Sequence, residues 1–356
     1  MQLGIIGLPQ SGKTTLYKAL TRANIPTEIS AGHLEVHTAV IDVPDPRVEK
    51  LIEIFIPKKH VYAKVTYTDI AGLDGSAGKN GIAGALLNRL SQMDGFIHVV
   101  RHFENSRVPH ILEKIDPLRD IIAMDTEFIL SDLIIVERKL EHLADEHSKG
   151  VGRDRNLIEQ EIRLFERLRA ELSAEKPLRD ETFTAEEEKM ISGYGFLSHK
   201  PQIVVINQSE VQEPWDINPN HQRTLVVCMP AKLEMDIAEL PNEDAALFMA
   251  EYGIEEPGLN RLIKLSYDLL GLQSFFTASE KEVHAWTLKH GLTAHDAAGV
   301  IHSDMEKGFI RAEVVAYDDL VKLGSMTEAR AKGKLRLEGK DYIVADGDIL
   351  VIRFNI

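Results

Sequence analysis

Eight residues near the start of the chain have the types and spacing of a phosphate cradle. They are Gly7-Leu8-Pro9-Gln10-Ser11-Gly12-Lys13-Thr14, the P-loop pattern G-x-x-x-x-G-K-[ST]. In such a loop the lysine reaches the β- and γ-phosphates and the hydroxyl of the next residue ligates Mg²⁺, roles that fall here to Lys13 and Thr14. Gly7 and Gly12 permit backbone angles that a side chain opposes. The chemistry needs a strand before the loop and a helix after it. Met1 to Ile6 is short and apolar, as a buried parallel strand is. Thr14 to Arg22 predicts a helix, with Leu16, Ala19 and Leu20 at helical spacing. Its first N–H groups and its dipole favour an anion.

A second tetrapeptide fits the same chemistry, and a third closes another strand. Asp69-Ile70-Ala71-Gly72 ends the strand-like stretch Val61 to Thr68. There Asp69 can hold Mg²⁺ through water, and the Gly72 N–H can meet a γ-phosphate. Asn207-Gln208-Ser209-Glu210 follows the apolar run Gln202 to Ile206. Asn24 to His37 is polar and irregular, the place for a switch segment. The run holding Gly75, Gly78, Gly81 and Gly84 is rich enough in glycine for an order–disorder switch. His98 lies inside the strand-like Phe96 to Val100 and is expected to pack in the core rather than bind a ligand.

With 356 residues and 44% hydrophobic composition, the chain has material for two or three domains. A net charge of −15 argues against a general polyanion-binding surface. The single cysteine, Cys228, sits in an apolar run and excludes an intrachain disulfide, which suits a reducing compartment. A first strand starting at Met1 leaves no room for a signal peptide, and no apolar run is long enough to span a bilayer. The expectation is a soluble, cytoplasmic protein.

The elements that must position these residues follow in order. Thr38 to Val43 predicts a strand, Pro44-Asp45-Pro46 a turn, and Arg47 to Phe55 a short helix. Ile129, Leu133, Val136, Leu140 and Leu143 form one seam of alternating four- and three-residue steps; Ile158, Ile162, Phe165 and Leu172 form a second. The polar stretch Asp145 to Asn156 separates them, so two antiparallel helices in a coiled-coil hairpin are expected. Leu225 to Met229 predicts another strand, and Glu234 to Leu240 and Gly258 to Leu270 predict helices. From about Leu272 the pattern becomes short strands: Glu282 to Thr287, Phe309 to Val315, Lys334 to Leu337, Tyr342 to Val344 and Ile349 to Phe354. A helix capped by Thr293 and a turn at Asp346-Gly347 complete this part.

Together these residues resemble the YchF family, the Obg-like ATPases of the translation-factor class of P-loop proteins. The resemblance spans essentially the whole chain. It rests on GLPQSGKTT, VPDPR (Val43 to Arg47), DIAGL (Asp69 to Leu73), HVVRHFEN (His98 to Asn105) and DPLRDI (Asp116 to Ile121). It continues through NQSE, AKLEMDIAEL (Ala231 to Leu240), and two C-terminal stretches, Ala297 to Leu320 and Leu337 to Asn355. Those two are similar to the family's TGS domain, a ubiquitin-like β-grasp module.

The resemblance implies an α/β fold with three parts. Residues 1–123 and 200–271 form a P-loop nucleotide-binding domain with a mostly parallel sheet, 124–199 a helical coiled-coil insertion, and 272–356 the TGS domain. It implies an ATPase with Mg²⁺ and a ribosome or RNA partner reached through the coiled coil and the TGS domain. Lys149, Arg153 and Arg155 near the hairpin tip, and Lys332, Lys334, Arg336 and Lys340 on the TGS domain, are the candidate basic contacts. The nucleotide-binding set is Gln10, Ser11, Gly12, Lys13, Thr14, Thr15, Asn207, Gln208, Glu210, Ala231 and Lys232. Thr14 and Asp69 serve the metal, and Lys13 and Gly72 the chemistry.

GTP-binding relatives carry N-K-x-D, whose Asp pairs with guanine. Here Gln208 and Glu210 replace Lys and Asp, so ATP is expected over GTP. Three positions depart from the family pattern. Gln10 stands where Asn serves a potassium ion in related GTPases, so little potassium activation is expected. His33 stands at the switch threonine. The glycine-rich switch is about one residue shorter. Leu73, which cannot orient a water, predicts slow turnover. The competing readings are a non-hydrolysing, nucleotide-dependent binding module and a GTPase.

Overall fold

The computed structural model describes residues 1–21, 36–70, 82, 84–149, 154–209 and 221–355. The elements run β1 (Gln2–Ile6), α1 (Lys13–Thr21), β2 (Val36–Asp42), α2 (Pro46–Phe55), β3 (Lys59–Val61), β4 (Lys64–Ile70), α3 (Gly84–Ser91) and β5 (Gly95–His102). Then come α4 (Pro117–Lys149), α5 (Arg155–Ser173), α6 (Ala185–Ile191), β6 (Gln202–Gln208), β7 (Thr224–Met229), α7 (Ala231–Glu239), α8 (Asn242–Glu251) and α9 (Gly258–Leu269). The last are β8 (Leu272–Ala278), β9 (Glu282–Lys289), α10 (Ala294–Ile301), α11 (Ser303–Lys307), β10 (Phe309–Ala316), α12 (Tyr317–Leu323), α13 (Met326–Ala331), β11 (Arg336–Glu338) and β12 (Asp348–Phe354). No helix among the described residues is long and apolar enough to cross a membrane. The chain divides into two compact units, Met1–Ala39 with Thr66–Leu259, and Val40–Val65 with Asn260–Ile356.

In the first unit the sheet runs β2-β4-β1-β5-β6-β7, and β1–β4, β1–β5, β5–β6 and β6–β7 are all parallel. The α/β architecture is the one expected. Buried on both faces, β1, β5 and β6 read as almost unbroken apolar runs, the mark of a central parallel strand. Parallel register gathers the carboxyl ends at one edge of the sheet. Ile5 stands beside Asp69 and Ile97, and Arg101 beside Asn207. That edge is where ligands bind in open α/β sheets.

Helix α4 does two jobs in its 33 residues. Its first turns pack on the sheet, with Met124 and Phe128 in one apolar cluster and Ile121 in another. Beyond them, Ile129, Leu133, Val136, Leu140 and Leu143 pack with Ile158, Ile162, Phe165, Leu168 and Leu172 of α5. The two expected seams are therefore one interface, and the helix begins seven residues before the predicted change at Met124. Leu178, Ile191 and Phe196 close the base of the hairpin.

The second unit has the sheet order β11-β10-β12-β8-β9-β3. Central β12 is parallel to β8 and antiparallel to β10, and α10 follows the β8–β9 hairpin, as in a β-grasp. Thr293 and Asp296 cap α10 reciprocally, as the sequence predicts for Thr293. The predicted strand Val61 to Thr68 proves to be two. Lys59–Val61 pairs with β9 in this sheet, while Lys64–Ile70 joins the other. Residues 40–65 therefore group with the C-terminal part, where Arg47 also bridges Asp45 and Asp346. Strand β8 has no counterpart among the expected elements. Tyr342 to Val344 is no strand: it makes one isolated bridge, Ile343 to Thr293.

Candidate functional site

The loop between β1 and α1 is held open by backbone geometry. Gly7 and Gly12 have φ of +146° and +100°, and Gln10 adopts +64°. Side chains there would also collide. A Cβ on Gly7 would lie 2.3 Å from the Val99 carbonyl oxygen, and one on Gly12 2.2 Å from Asn207 Nδ2. Lys13 folds back over the loop, donating from Nζ to the carbonyl oxygens of Gly7 at 2.8 Å and Leu8 at 2.9 Å. Burial lowers its pKa, and the nearby Asp69 opposes that shift.

Thr14 Oγ1 donates to Asp69 Oδ2 at 3.0 Å, so the first turn of α1 and the end of β4 meet. Burial raises the Asp69 pKa, against the Thr14 hydrogen bond and the Lys13 charge. Ser11 Oγ and Asp69 Oδ1 are buried with no hydrogen-bond partner among the described residues. Hydroxyl and carboxylate oxygens beside a phosphate loop are the hard donors that Mg²⁺ takes, with phosphate and water completing its shell. The residues present fit that ion.

Asn207 ties the end of β6 to the P-loop and to the start of α7. Its Nδ2 donates to the Ser11 carbonyl at 2.9 Å, and its Oδ1 accepts the Ala231 N–H at 3.0 Å. Ala231 starts α7 and is buried, as is Gln208; Lys232 is exposed and pairs with Asp236. Ser11, Gly12, Lys13, Thr14, Asp69, Asn207 and Ala231 thus form one connected group. Gly72, Leu73, Glu210, His33, Arg153 and most of both expected switch segments lie outside the described residues.

Residues 2–139 match the MMR_HSR1 family model, described as a 50S ribosome-binding GTPase, and residues 272–355 match YchF-GTPase_C, described as a protein of unknown function (DUF933). The chain is 40% identical to the ribosome-binding ATPase YchF of Bacillus subtilis over 371 residues, 99% of each chain. It is 41% identical to the Haemophilus influenzae protein of that name, again over 99% of each. The chain belongs to the YchF family. A rice protein named Obg-like ATPase 1 is 33% identical, over 100% of this chain and 92% of its own. The solved Schizosaccharomyces pombe YchF GTPase superposes with a TM-score of 0.82 at 27% identity, covering 99% of this chain and 97% of that one.

Two buried groups in this YchF-family chain escaped sequence reasoning. Arg101, at the end of β5 and in register with Asn207, donates from Nε to the Phe103 carbonyl at 3.1 Å and from Nη2 to that of Val108 at 2.7 Å. It fixes the loop beside the Asn207-Gln208 strand end. In that loop Leu112 N–H donates to His110 Nδ1, which leaves Nε2 to donate to Asp120 at 2.9 Å. The signal for Arg101 was available: an arginine closing an apolar strand must satisfy its guanidinium in the loop beyond. His98 is buried and neutral, its pKa pushed down by burial to about 4, in keeping with a core histidine.

Proposed function

We propose that this chain binds Mg-ATP, hydrolyses it slowly, and acts in the cytoplasm as a nucleotide-gated switch on the ribosome. The observation that carries the reading is the Thr14–Asp69 hydrogen bond under the P-loop, with Asp69 Oδ1 left unpaired among the described residues. Ser11, Gly12, Lys13, Thr14 and Thr15 would receive the phosphates, with Gln10 at the loop apex. Mg²⁺ held by Thr14, and through water by Asp69, would supply charge neutralisation at the phosphates. Lys13 adds a fixed positive charge, and the Gly72 N–H a donor to the γ-phosphate. Leu73 offers nothing to orient water, so turnover is slow until a partner completes the site.

ATP is preferred because Asn207-Gln208-Ser209-Glu210 replaces N-K-x-D. A longer carboxylate at 210 is misplaced for guanine's paired donors. The relatives' names divide on this point, ATPase for the Bacillus subtilis protein and GTPase for the fission-yeast one, so GTP is the second reading. Gln10 in place of Asn argues against potassium activation. Equal rates in potassium and sodium at matched ionic strength are expected.

For the partner, the hairpin tip and the C-terminal unit remain the proposed contacts. Four of the basic residues named there are paired. Lys149 pairs with Asp145, Arg155 with Glu159, Lys334 with Asp319 and Arg336 with Glu338. Exposed pairs of this kind are weak and can be exchanged for phosphate. The test is calorimetry with ATP and GTP on wild type and Lys13→Ala, then co-sedimentation with ribosomes in each nucleotide state. Unchanged ATP affinity in a folded Lys13→Ala protein would remove the assignment. GTP binding at least about tenfold tighter than ATP would favour the second reading.

A further inference from the structure

Helix α8 departs from the rule that a surface helix buries its apolar stripe. None of the side chains described on it is buried. Leu247 is 72% exposed, and Tyr252, just past the last turn, is 57% exposed. Phe248 and Tyr252, four residues apart, stack with ring centroids 4.5 Å apart and planes at 23°. Their rings lean on each other at the surface instead of filling a core. Four-residue spacing makes two rows on this side: Glu243, Leu247 and Glu251, and Asp244, Phe248 and Tyr252. Each row mixes carboxylates with apolar groups.

Along the stretch that carries α8 the charge has one sign. From Leu233 to Asn260 the sequence holds eight acidic residues and no lysine or arginine. Glu234 is spent internally, accepting the N–H groups of Gly258 and Leu259 at the start of α9. Asp236 pairs with Lys232. Glu239, Glu243, Asp244, Glu251, Glu255 and Glu256 remain exposed around the apolar rows. Such a field repels nucleic acid and the anionic face of a membrane. It attracts a basic protein segment. A guanidinium can lie over an aromatic face while carboxylates hold its edges, and the methylene stem of Arg or Lys covers apolar surface beside it.

We propose that α8 is a docking helix for an arginine- and lysine-rich segment of a partner protein, with a guanidinium seated on the Phe248–Tyr252 stack and its stem on Leu247. The site is built without any residue of the nucleotide cluster, so it stands or falls independently of ATP binding.

The probe is a fluorescein-labelled peptide of four Arg-Leu-Arg repeats, with Gln for every Arg in the control, titrated with the full chain and read by anisotropy. The arginine peptide should bind and the glutamine peptide should not. Phe248→Ser with Tyr252→Ser keeps the net charge and should weaken binding about tenfold or more, as loss of an aromatic anchor does. Glu243→Gln with Asp244→Asn and Glu251→Gln should do the same. Neutralising three exposed acids elsewhere, Glu280→Gln, Asp318→Asn and Asp341→Asn, should change affinity less than about twofold if attraction is local. Thermal melts followed by circular dichroism check folding, and the carboxylate variant decides if the aromatic one unfolds. The proposal is overturned if the aromatic and carboxylate variants bind as wild type, or if the remote neutralisation weakens binding equally. It is also overturned if labelled polyuridine binds with the same α8 dependence. Concentration-dependent self-association that Leu247→Ser abolishes would assign the face to a second copy of the chain and overturn it too.

Discussion

Asn207 Nδ2 stands 2.9 Å from the Ser11 carbonyl oxygen, so the end of β6 braces the loop between β1 and α1. The same amide holds the start of α7 through the Ala231 N–H. Asn207→Ala should therefore lower ATP affinity even though the phosphate-facing groups are intact. Loss of a buried hydrogen bond that positions a loop is worth about 1–2 kcal/mol, roughly a tenfold change in Kd. Asn207→Asp should be worse than a simple loss of the donor, because it sets a carboxylate against the Ser11 carbonyl. Calorimetry on both variants checks this. Wild-type affinity in Asn207→Ala would show that the loop keeps its shape without the brace.

The Thr14–Asp69 pair makes a separate prediction about the metal. Asp69→Asn keeps size and removes charge. It should weaken nucleotide binding in Mg²⁺ by about tenfold, the scale of a lost charged contact, and change binding in EDTA little. Thr14→Ala should behave similarly, with Thr14→Ser restoring the hydroxyl. Burial holds the Asp69 pKa above its ordinary value, so protons compete with the metal at a higher pH than an exposed aspartate allows. Mg²⁺-dependent affinity should fall on acidification before Mg²⁺-independent affinity does. Equal losses in Mg²⁺ and EDTA would place Asp69 in folding rather than in metal binding.

His98 supplies a stability prediction with a definite sign. Its ring nitrogens are buried without partners among the described residues, and burial lowers its pKa from 6.5 to about 4. Between those values the unfolded chain takes up a proton that the folded chain refuses. Stability therefore falls as pH drops from 6.5 toward 4. From pH 7 to pH 5 this one group should cost about 2 kcal/mol. His98→Leu removes the titration, so denaturant unfolding should show the variant gaining about 2 kcal/mol on wild type between pH 7 and pH 5. A pH-independent difference would mean that His98 finds a partner when protonated.

Much of this was legible in the sequence because periodicity and motif spacing are local. The P-loop, Asp69 and Asn207 lie where strand ends must lie, and the a/d steps from Ile129 to Leu143 described one half of a real interface. What was missed depends on tertiary pairing. Val61 looked like the start of the strand after it, yet it belongs with Lys59–Val61, whose hydrogen-bond partner is β9, more than two hundred residues away. Strand β8 was overlooked because Leu272 to Ala278 continues straight from α9 with no break longer than Leu270-Gly271. Helix α8 carries too little apolar periodicity to stand out, for the physical reason that it has no core to face. Arg101 could be suspected from its place at the end of an apolar strand, but its carbonyl partners could not be named, and the His110–Asp120 pair is invisible to pattern because its members stand ten positions apart.

The last prediction concerns how the hairpin stem is anchored in the first unit. Arg179, in the turn after α5, is 1% exposed and donates from Nη2 to Asp125 Oδ2 of α4 at 2.7 Å and from Nε to Thr224 Oγ1 of β7 at 2.9 Å. Gln202 of β6 and His221 also approach the Asp125 carboxylate. One buried ion pair thus links the stem to the sheet. Removing either partner alone strands a charge in the interior. Asp125→Leu should cost about 3–5 kcal/mol, and Arg179→Met should cost a comparable amount. Replacing both, Asp125→Leu with Arg179→Met, leaves no uncompensated charge and should recover most of that loss, so the effects are far from additive. Urea unfolding of wild type and the three variants gives the coupling. If the double variant is as unstable as the sum of the single ones, the pair holds the stem through each residue's separate hydrogen bonds and not through their mutual charge.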